Sequence, residues 1–237
     1  MAQQSKASFI YIDLKRRIKS GEFDHYQILP IEKKLEAYYS ASRNTVRKAI
    51  RQLNSDGLVY SKVGSSNIVL KQINISNVLI DSGNSHRPSK ITNQNVSTKI
   101  VSFEKKTVSK TLAKISTFDE GTDYFHVVRL RNIDNQPTMI DNSHFLCSVM
   151  PDLTEKIASS SIYDYLQNDL GVKIVGSKLV DRIVEANNID KQYLNLSDKS
   201  TIGLTQSWSY LDTGNIFEYT EIHFSPESYV RTRFVSQ

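Results

Sequence analysis

The chain has one cysteine, Cys147, among its 237 residues. An intrachain disulfide and a multi-cysteine metal site are both excluded, which suits a reducing compartment. No apolar run approaches the roughly 18 residues of a membrane helix, and the N-terminus lacks the apolar stretch of a secretory signal. A soluble, cytoplasmic chain without a membrane partner is expected. Catalytic signatures are missing too: there is no Gly-x-Ser-x-Gly, no His-Glu-x-x-His and no phosphate-binding glycine loop. His25, His86, His126, His144 and His223 are scattered without metal spacing, and Cys147 has no local activating pattern. Neither catalysis nor a cofactor nor a metal is expected.

What is present is ordinary in bulk and uneven in place. Hydrophobic residues make up 39% and charged residues 23%, as in a globular protein with room for two modest domains. The net charge of +5 is not evenly spread: residues 1–75 hold 13 Lys and Arg against 6 Asp and Glu, and the remainder holds 17 against 19. An excess of basic charge confined to one small segment is the footprint of a nucleic-acid-binding module, or else a solvated basic face.

That basic segment has helical order. Residues 1–7 are polar and expected to fray. From Ser8, the residues Ile10, Leu14 and Ile18 recur every four positions before Gly21, which predicts a first helix ending near Ser20. Leu29-Pro30-Ile31-Glu32 opens a second, with Pro30 near the first turn and Leu35, Tyr38 and Tyr39 on an apolar side. After a short Ser40-Ala41 turn, Ser42 is placed to cap a third helix running to about Asp56. Its first turn is basic and polar (Arg43, Asn44, Thr45, Arg47), while Val46, Ala49, Ile50 and Leu53 form a buried stripe. Two helices joined so tightly make a helix-turn-helix, and such a first turn can enter the major groove of DNA. Beyond Gly57 the period changes to two, with a break at Gly64-Ser65-Ser66-Asn67, which predicts a β-hairpin wing.

The order Ser20-Gly-Glu-Phe23, Leu29-Pro-x-Glu32, Ser42-Arg-x-Thr-Val-Arg47 and Leu53-x-x-x-Gly-Leu-Val59 resembles the GntR family of bacterial transcription regulators over residues 8–70. The resemblance implies DNA contacts by Lys33, Ser42, Arg43, Thr45, Arg47 and the wing-tip Gly64, with Asn44 in the same DNA-facing turn. Arginine carries the planar fork that reads guanine edges, and a hydroxyl at a helix start suits phosphate oxygens. Ser42 can also act simply as a cap. Two departures stand out. Ile31 occupies the usual serine position, which removes a cap, and the wing tip has fewer glycines than the family pattern.

Residues 73–95 are rich in Asn, Ser, Lys and Gln, with Pro88 and a short apolar patch at Val78-Leu79-Ile80, and are expected to be a linker. Beyond it the pattern is mixed α and β. Phe125, Val127, Arg129, Arg131 and Ile133 share one strand face, so two arginines lie on an otherwise apolar surface. They need either neighbouring acids or an anionic ligand. Asp134 to Pro137 reads as a turn before a strand from Met139 to Leu146. Ser161 with Asp164 fits a capping box opening a helix with Ile162, Leu166 and Leu170 on one face, closed by Gly171. A strand around Lys178 to Val184, a short helix near Asp190 to Leu194, and a hairpin of Leu204–Leu211 with Ile216–Phe224 complete the reading.

Arg129-x-Arg131, the turn proline, the acid Asp141, Ser161-Ile-Tyr163 and the Phe217-Glu-Tyr hairpin resemble the UTRA effector-binding domain of HutC-type GntR regulators, which is similar to the chorismate lyase fold. The expected organisation is α+β: a winged helix-turn-helix at 1–72, the linker at 73–95 and a UTRA-type effector-binding and dimerisation domain at 96–237. The resemblance implies that Arg129, Arg131 and Ser161 hold an anion such as a sugar phosphate or carboxylate. Asp141 and Glu218 would hold its polar end, with Tyr163 and Phe224 in the same site. Phe224 stands where relatives carry a tyrosine. For the arginines, an internal salt bridge with Asp141 or Glu218 stays open; for Ser161, so does capping alone. The expected function is a homodimeric, ligand-responsive transcription regulator, a repressor bound to palindromic double-stranded operator DNA. The alternatives are a constitutive architectural DNA-binding protein and a lyase-like enzyme fused to a DNA-binding domain.

Overall fold

The structure is a computed structural model that describes residues 5–23, 28–62, 66–71, 95–231 and 234–235. Apart from Asn95, the expected linker at 73–95 lies outside the described residues, as do Gly64 and the expected frayed residues 1–4. The chain divides into two compact units, Met1–Asn84 with Arg231–Gln237, and Ser85–Val230.

In the first unit α1 (Lys6–Lys19), α2 (Glu32–Tyr39) and α3 (Arg43–Ser55) precede an antiparallel hairpin of β1 (Val59–Lys62) and β2 (Ser66–Val69). Helix α1 begins before Ser8 because Ser5 is the cap, its hydroxyl accepting the Ser8 N–H at 3.2 Å. Ile10, Leu14 and Ile18 meet Leu35, Val46, Ala49, Ile50 and Leu53 in one core. In α2 the expectation for Tyr38 fails: its ring is 68% exposed. Leu35 and Tyr39, four apart, occupy the single buried stripe of so short a helix, and Tyr38 lies about 100° round from Tyr39. Pro30 also falls outside the helix, before the Ile31 cap position, where no side-chain cap bond forms.

One buried charge ties α1 to the end of α3. Lys15 Nζ donates to Tyr11 Oη at 2.8 Å and pairs with Asp56 Oδ2 at 3.2 Å, and Tyr11 donates to the same carboxylate. Burial, reinforced by Asp56, holds the Tyr11 phenol up at about 12. Immediately after α3, Gly57 has φ +67°, and a Cβ there would lie 2.6 Å from Cδ2 of Phe234. Backbone conformation and the Phe234 ring both demand glycine at this point.

The second unit is built on an antiparallel sheet of six strands among the described residues, in the order β3-β4-β5-β8-β7-β6. Its members are β3 (Val96–Thr107), β4 (Asp123–Ile133), β5 (Gln136–Leu146), β6 (Ile174–Glu185), β7 (Thr201–Leu211) and β8 (Ile216–Phe224). Asp134 and Asn135 both have positive φ, 49° and 65°, as a type I′ turn requires. The turn is therefore tighter than expected, and Gln136 and Pro137 already belong to β5.

Helices α4 (Lys110–Ser116) and α7 (Asn188–Tyr193) cover one face, over Tyr124, Tyr219, Val128, Leu130 and Ile140. The opposite face carries Phe125, Val127, Phe145 and Phe217 under α5 (Glu155–Ala158), α6 (Ile162–Asp164) and a π-helical turn, Tyr165–Asp169. That turn corrects the expected helix from Ser161 to Gly171. Ile162 and Leu166 are buried, but the wider π geometry breaks the four-residue repeat and leaves Leu170 at 37% exposure.

Asp190 fastens α7 to the sheet with both oxygens. Oδ2 accepts the Asn187 N–H at 2.9 Å, completing a capping box, and Oδ1 lies 2.7 Å from His223 Nδ1 on β8. Burial opposes charge on His223, but Asp190 and Glu221 outweigh it and raise the imidazole to about 9. Because the folded value lies above the ordinary 6.5, this pair stabilises the unit fully below that pH and loses its contribution as pH rises through about 9. The thermal midpoint of the wild type should therefore fall between pH 7 and 9.5 by an amount worth on the order of 1–3 kcal/mol. Scanning calorimetry of His223→Gln should show that part of the slope gone.

Candidate functional site

The first candidate surface is the start of α3. Ser42 has extended backbone, and its Oγ accepts the Thr45 N–H at 3.3 Å and lies 2.8 Å from Thr45 Oγ1. The cap fixes where the helix begins and so places the residues of its first turn. Arg43 and Arg47, one helical turn apart, project into solvent with side chains 68% and 55% exposed. Glu32, at the start of α2, touches both: Oε2 is 3.1 Å from Arg43 Nε and Oε1 is 3.3 Å from Arg47 Nε. Both contacts use Nε, which leaves the outer Nη groups for an acceptor outside the chain. Asn44 and Lys33 are exposed on the same two helices. The sequence showed Glu32 only as a favourable charge at a helix start. Its role between two arginines depends on how α2 packs on α3, which no local pattern encodes.

The second candidate lies in the sheet of the second unit, on the face under α6. Strand register places Arg129 opposite Asp141 and Arg131 opposite Met139. Arg129 Nη2 is 3.1 Å and Arg131 Nε 2.6 Å from the same oxygen, Asp141 Oδ2, with all three side chains at most 13% exposed. Of the two outcomes foreseen for the arginines the structure shows the internal salt bridge, with a single carboxylate between two guanidiniums. Burial pulls the Arg129 pKa down while Asp141 opposes it, and Arg129 Nε, fully buried, finds no acceptor among the described residues.

Glu218 sits further along the same face. A register shift between Ser209 and Tyr210 leaves Phe217 without a partner in β7, a β-bulge that sets Phe217 and Glu218 on the same side. Tyr163 of α6 donates to Glu218 Oε2 and lies 3.0 Å from Ser209 Oγ. Burial first, and then Glu218, push the Tyr163 phenol well above its ordinary pKa, so it stays a proton donor. Strand register puts Glu218 on the same face of the sheet as Arg129 and Asp141, four residues along β8 from Ile222, the partner of Asp141. Ser161 Oγ caps α6 by accepting the Asp164 N–H at 3.2 Å. Phe224 is buried where β8 pairs with Met139, its ring against Tyr229. Ser209, Thr220 and Ser143 were not singled out from the sequence, because small hydroxyls in a strand give no distinguishing signal.

The model of bacterial regulatory proteins of the gntR family matches residues 6–69, and the UTRA domain model matches residues 92–230. The chain is a gntR-family regulator with a UTRA domain. The HTH-type transcriptional regulator GmuR of Bacillus subtilis is 25% identical, over 96% of this chain and 97% of that protein. TreR of the same organism, also an HTH-type transcriptional regulator, is 26% identical over 90% and 89%. Among solved structures, the possible transcriptional regulator YydK of Bacillus subtilis superposes with TM-score 0.76 at 24% identity, covering 99% of each chain. The effector-binding domain of the B. subtilis trehalose repressor covers 60% of this chain and 98% of its own, with TM-score 0.54 at 23% identity. This gntR-family chain is therefore a ligand-responsive transcription regulator of α+β fold, in a family of regulators rather than enzymes. No helix among its described residues is long and apolar enough to cross a membrane.

The buried cluster gives the UTRA domain a measurable weakness. Asp141→Asn strands two guanidiniums away from water and should cost about 3–5 kcal/mol in urea unfolding. Arg129→Met, Arg131→Leu and Asp141→Leu together should recover most of that loss, since no charge is then left unpaired.

Proposed function

We propose that this regulator is a homodimeric cytoplasmic repressor that holds a palindromic operator through α3 and the wing, and that a small anionic effector of the sugar-phosphate class modulates its grip. The observation that carries the effector reading is Arg129: a permanently charged, buried group with a donor still unspent, sharing one carboxylate with Arg131. An incoming anion adds the negative charge and acceptors that Asp141 alone supplies sparingly. The names of relatives favour a sugar-derived ligand: one similar protein is the trehalose repressor and another the mannosyl-D-glycerate transport/metabolism system repressor of Escherichia coli. Residues 1–72 form the DNA-binding part, 73–95 the linker and 96–230 the effector-binding and dimerising part; the expected end at 237 moves to 230 because residues 231–237 are grouped with the first unit.

On DNA, Arg43 and Arg47 read base edges, the Ser42–Thr45 hydroxyl pair and Asn44 meet the backbone, and Lys33 adds a phosphate contact. One recognition helix reads few base pairs, which favours two copies on a two-fold site. The effector changes operator binding only through its different affinities for the two arrangements of the protein.

Two experiments test this reading. In gel shifts, Arg43→Ala and Arg47→Ala should each lose about 1–3 kcal/mol of operator binding. Lys33→Ala should weaken all sequences alike and lower the salt slope by about one. Unchanged operator affinity in both arginine variants would remove α3 as the reader. Calorimetry against sugar phosphates and small carboxylates should show binding by the wild type that disappears in Arg129→Ala. No heat with any anion, together with DNA binding that none of them alters, would favour a constitutive architectural protein.

A further inference from the structure

Tyr163 belongs to a hydrogen-bond chain that crosses four strands. Ser177 Oγ on β6 is 2.9 Å from Ser209 Oγ on β7, which is 3.0 Å from Tyr163 Oη. The phenol donates to Glu218 Oε2 on β8, whose Oε1 accepts from Thr220 Oγ1 at 2.8 Å. Thr220 Oγ1 is in turn 3.0 Å from Ser143 Oγ on β5.

The protons can be traced outward from Glu218. Tyr163 and Thr220 both donate to its carboxylate oxygens. Thr220 Oγ1 is placed to donate to Ser143 Oγ as well, so its one proton serves either acceptor. On the other side the phenol proton is spent, so Ser209 donates to the phenol oxygen and Ser177 to Ser209. On the Tyr163 side of the chain, every proton points towards Glu218.

Five of the six members are fixed on strands. Tyr163 alone comes from outside the sheet, on a three-residue helix that runs straight into the π-helical turn Tyr165–Asp169. A π turn interrupts regular helical bonding and recurs at functional sites, so the phenol is the member of the chain with the least rigid support. Like Thr220 it gives Glu218 a hydroxyl donor, but it does so from outside the sheet, as a ligand hydroxyl would.

We propose that Tyr163 is a built-in competitor of the effector, its phenol holding the Glu218 and Ser209 positions that a ligand hydroxyl takes once Tyr163 has swung out with its helical turn. This rests on the effector reading above and narrows it. The ligand carries an anionic group for Arg129 and Arg131 and, at its other end, a hydroxyl for Glu218. An anion without that hydroxyl reaches only the arginines and leaves Tyr163 in place. Affinity for a hydroxylated anion is thereby lowered by the bond that must first be broken, and a weak or wrongly shaped sugar does not open the site.

The test is calorimetry of the full-length wild type and Tyr163→Phe with inorganic phosphate and a panel of hexose 6-phosphates. A hexose phosphate that binds the wild type should bind the variant about tenfold more tightly, the weight of one charge-assisted hydrogen bond. Inorganic phosphate should bind both equally. Equal or weaker sugar-phosphate binding by the variant overturns the proposal while leaving the effector reading intact. Absence of binding by both proteins to every probe removes that reading and the proposal together. Should the variant not fold, hydrogen exchange of the wild type decides: the amides of residues 162–169 should exchange faster with a bound hexose phosphate, and slower exchange overturns the proposal.

Discussion

A guanidinium cannot shed its charge, and Arg129 is almost wholly buried. Much of the second unit follows from that constraint. Asp141 stands directly opposite on β5, which fixes the register of β4 against β5, and Arg131 reaches the same carboxylate oxygen from the next position on its face. An otherwise apolar sheet then carries a polar centre, with Ser143, Thr220, Ser207 and Ser209 fully or nearly buried, and Phe125, Phe145 and Phe217 packed to one side. A carboxylate shared by two cations is stable enough to fold around and incomplete enough to welcome further negative charge. In the proposed effector site, folding and ligand binding would draw on the same groups.

The same motif, one carboxylate between two arginines, occurs in both units with opposite physical consequences. Glu32 touches Arg43 and Arg47 at the surface, where water screens the pairs and each is worth little. Such contacts are readily exchanged for phosphates or base edges, as a DNA-facing helix needs. Asp141 touches Arg129 and Arg131 in the interior, where exchange demands an equivalent anion in the same place. One arrangement orients arginines without holding on to them; the other withholds them from anything but a well-matched partner.

Much of the first unit was legible in the sequence because its signals are local. Ser42 caps α3, the apolar stripe of α3 is regular, and the missing cap at Ile31 is missing in the structure. Tyr38 was misread because an aromatic next to an apolar stripe looks like part of it until the neighbouring helices are in place. In the second unit the hairpin of β7 and β8 was plain, whereas β3 was not: at the edge of the sheet it has no clean alternation of buried and exposed residues. The π turn was invisible because residues 161–171 have an ordinary helical pattern. Arg129 and Arg131 could be found by period two, and the need of buried charge for a partner pointed to an acid nearby, which the resemblance named as Asp141. Glu218 and Tyr163 came from resemblance, and the serines that join them carried no signal at all.

The ring of Phe234 against Gly57 changes what counts as the DNA-binding domain. The closing residues of the chain are grouped with its opening helices, so a fragment made of the N-terminal segment alone omits part of its own unit. Such a fragment lacks an aromatic side chain that packs on its own backbone beside the recognition helix. A purification tag joined after Gln237 begins four residues beyond that same ring. Fragments and fusions of this protein are best judged by whether position 234 is present and unencumbered.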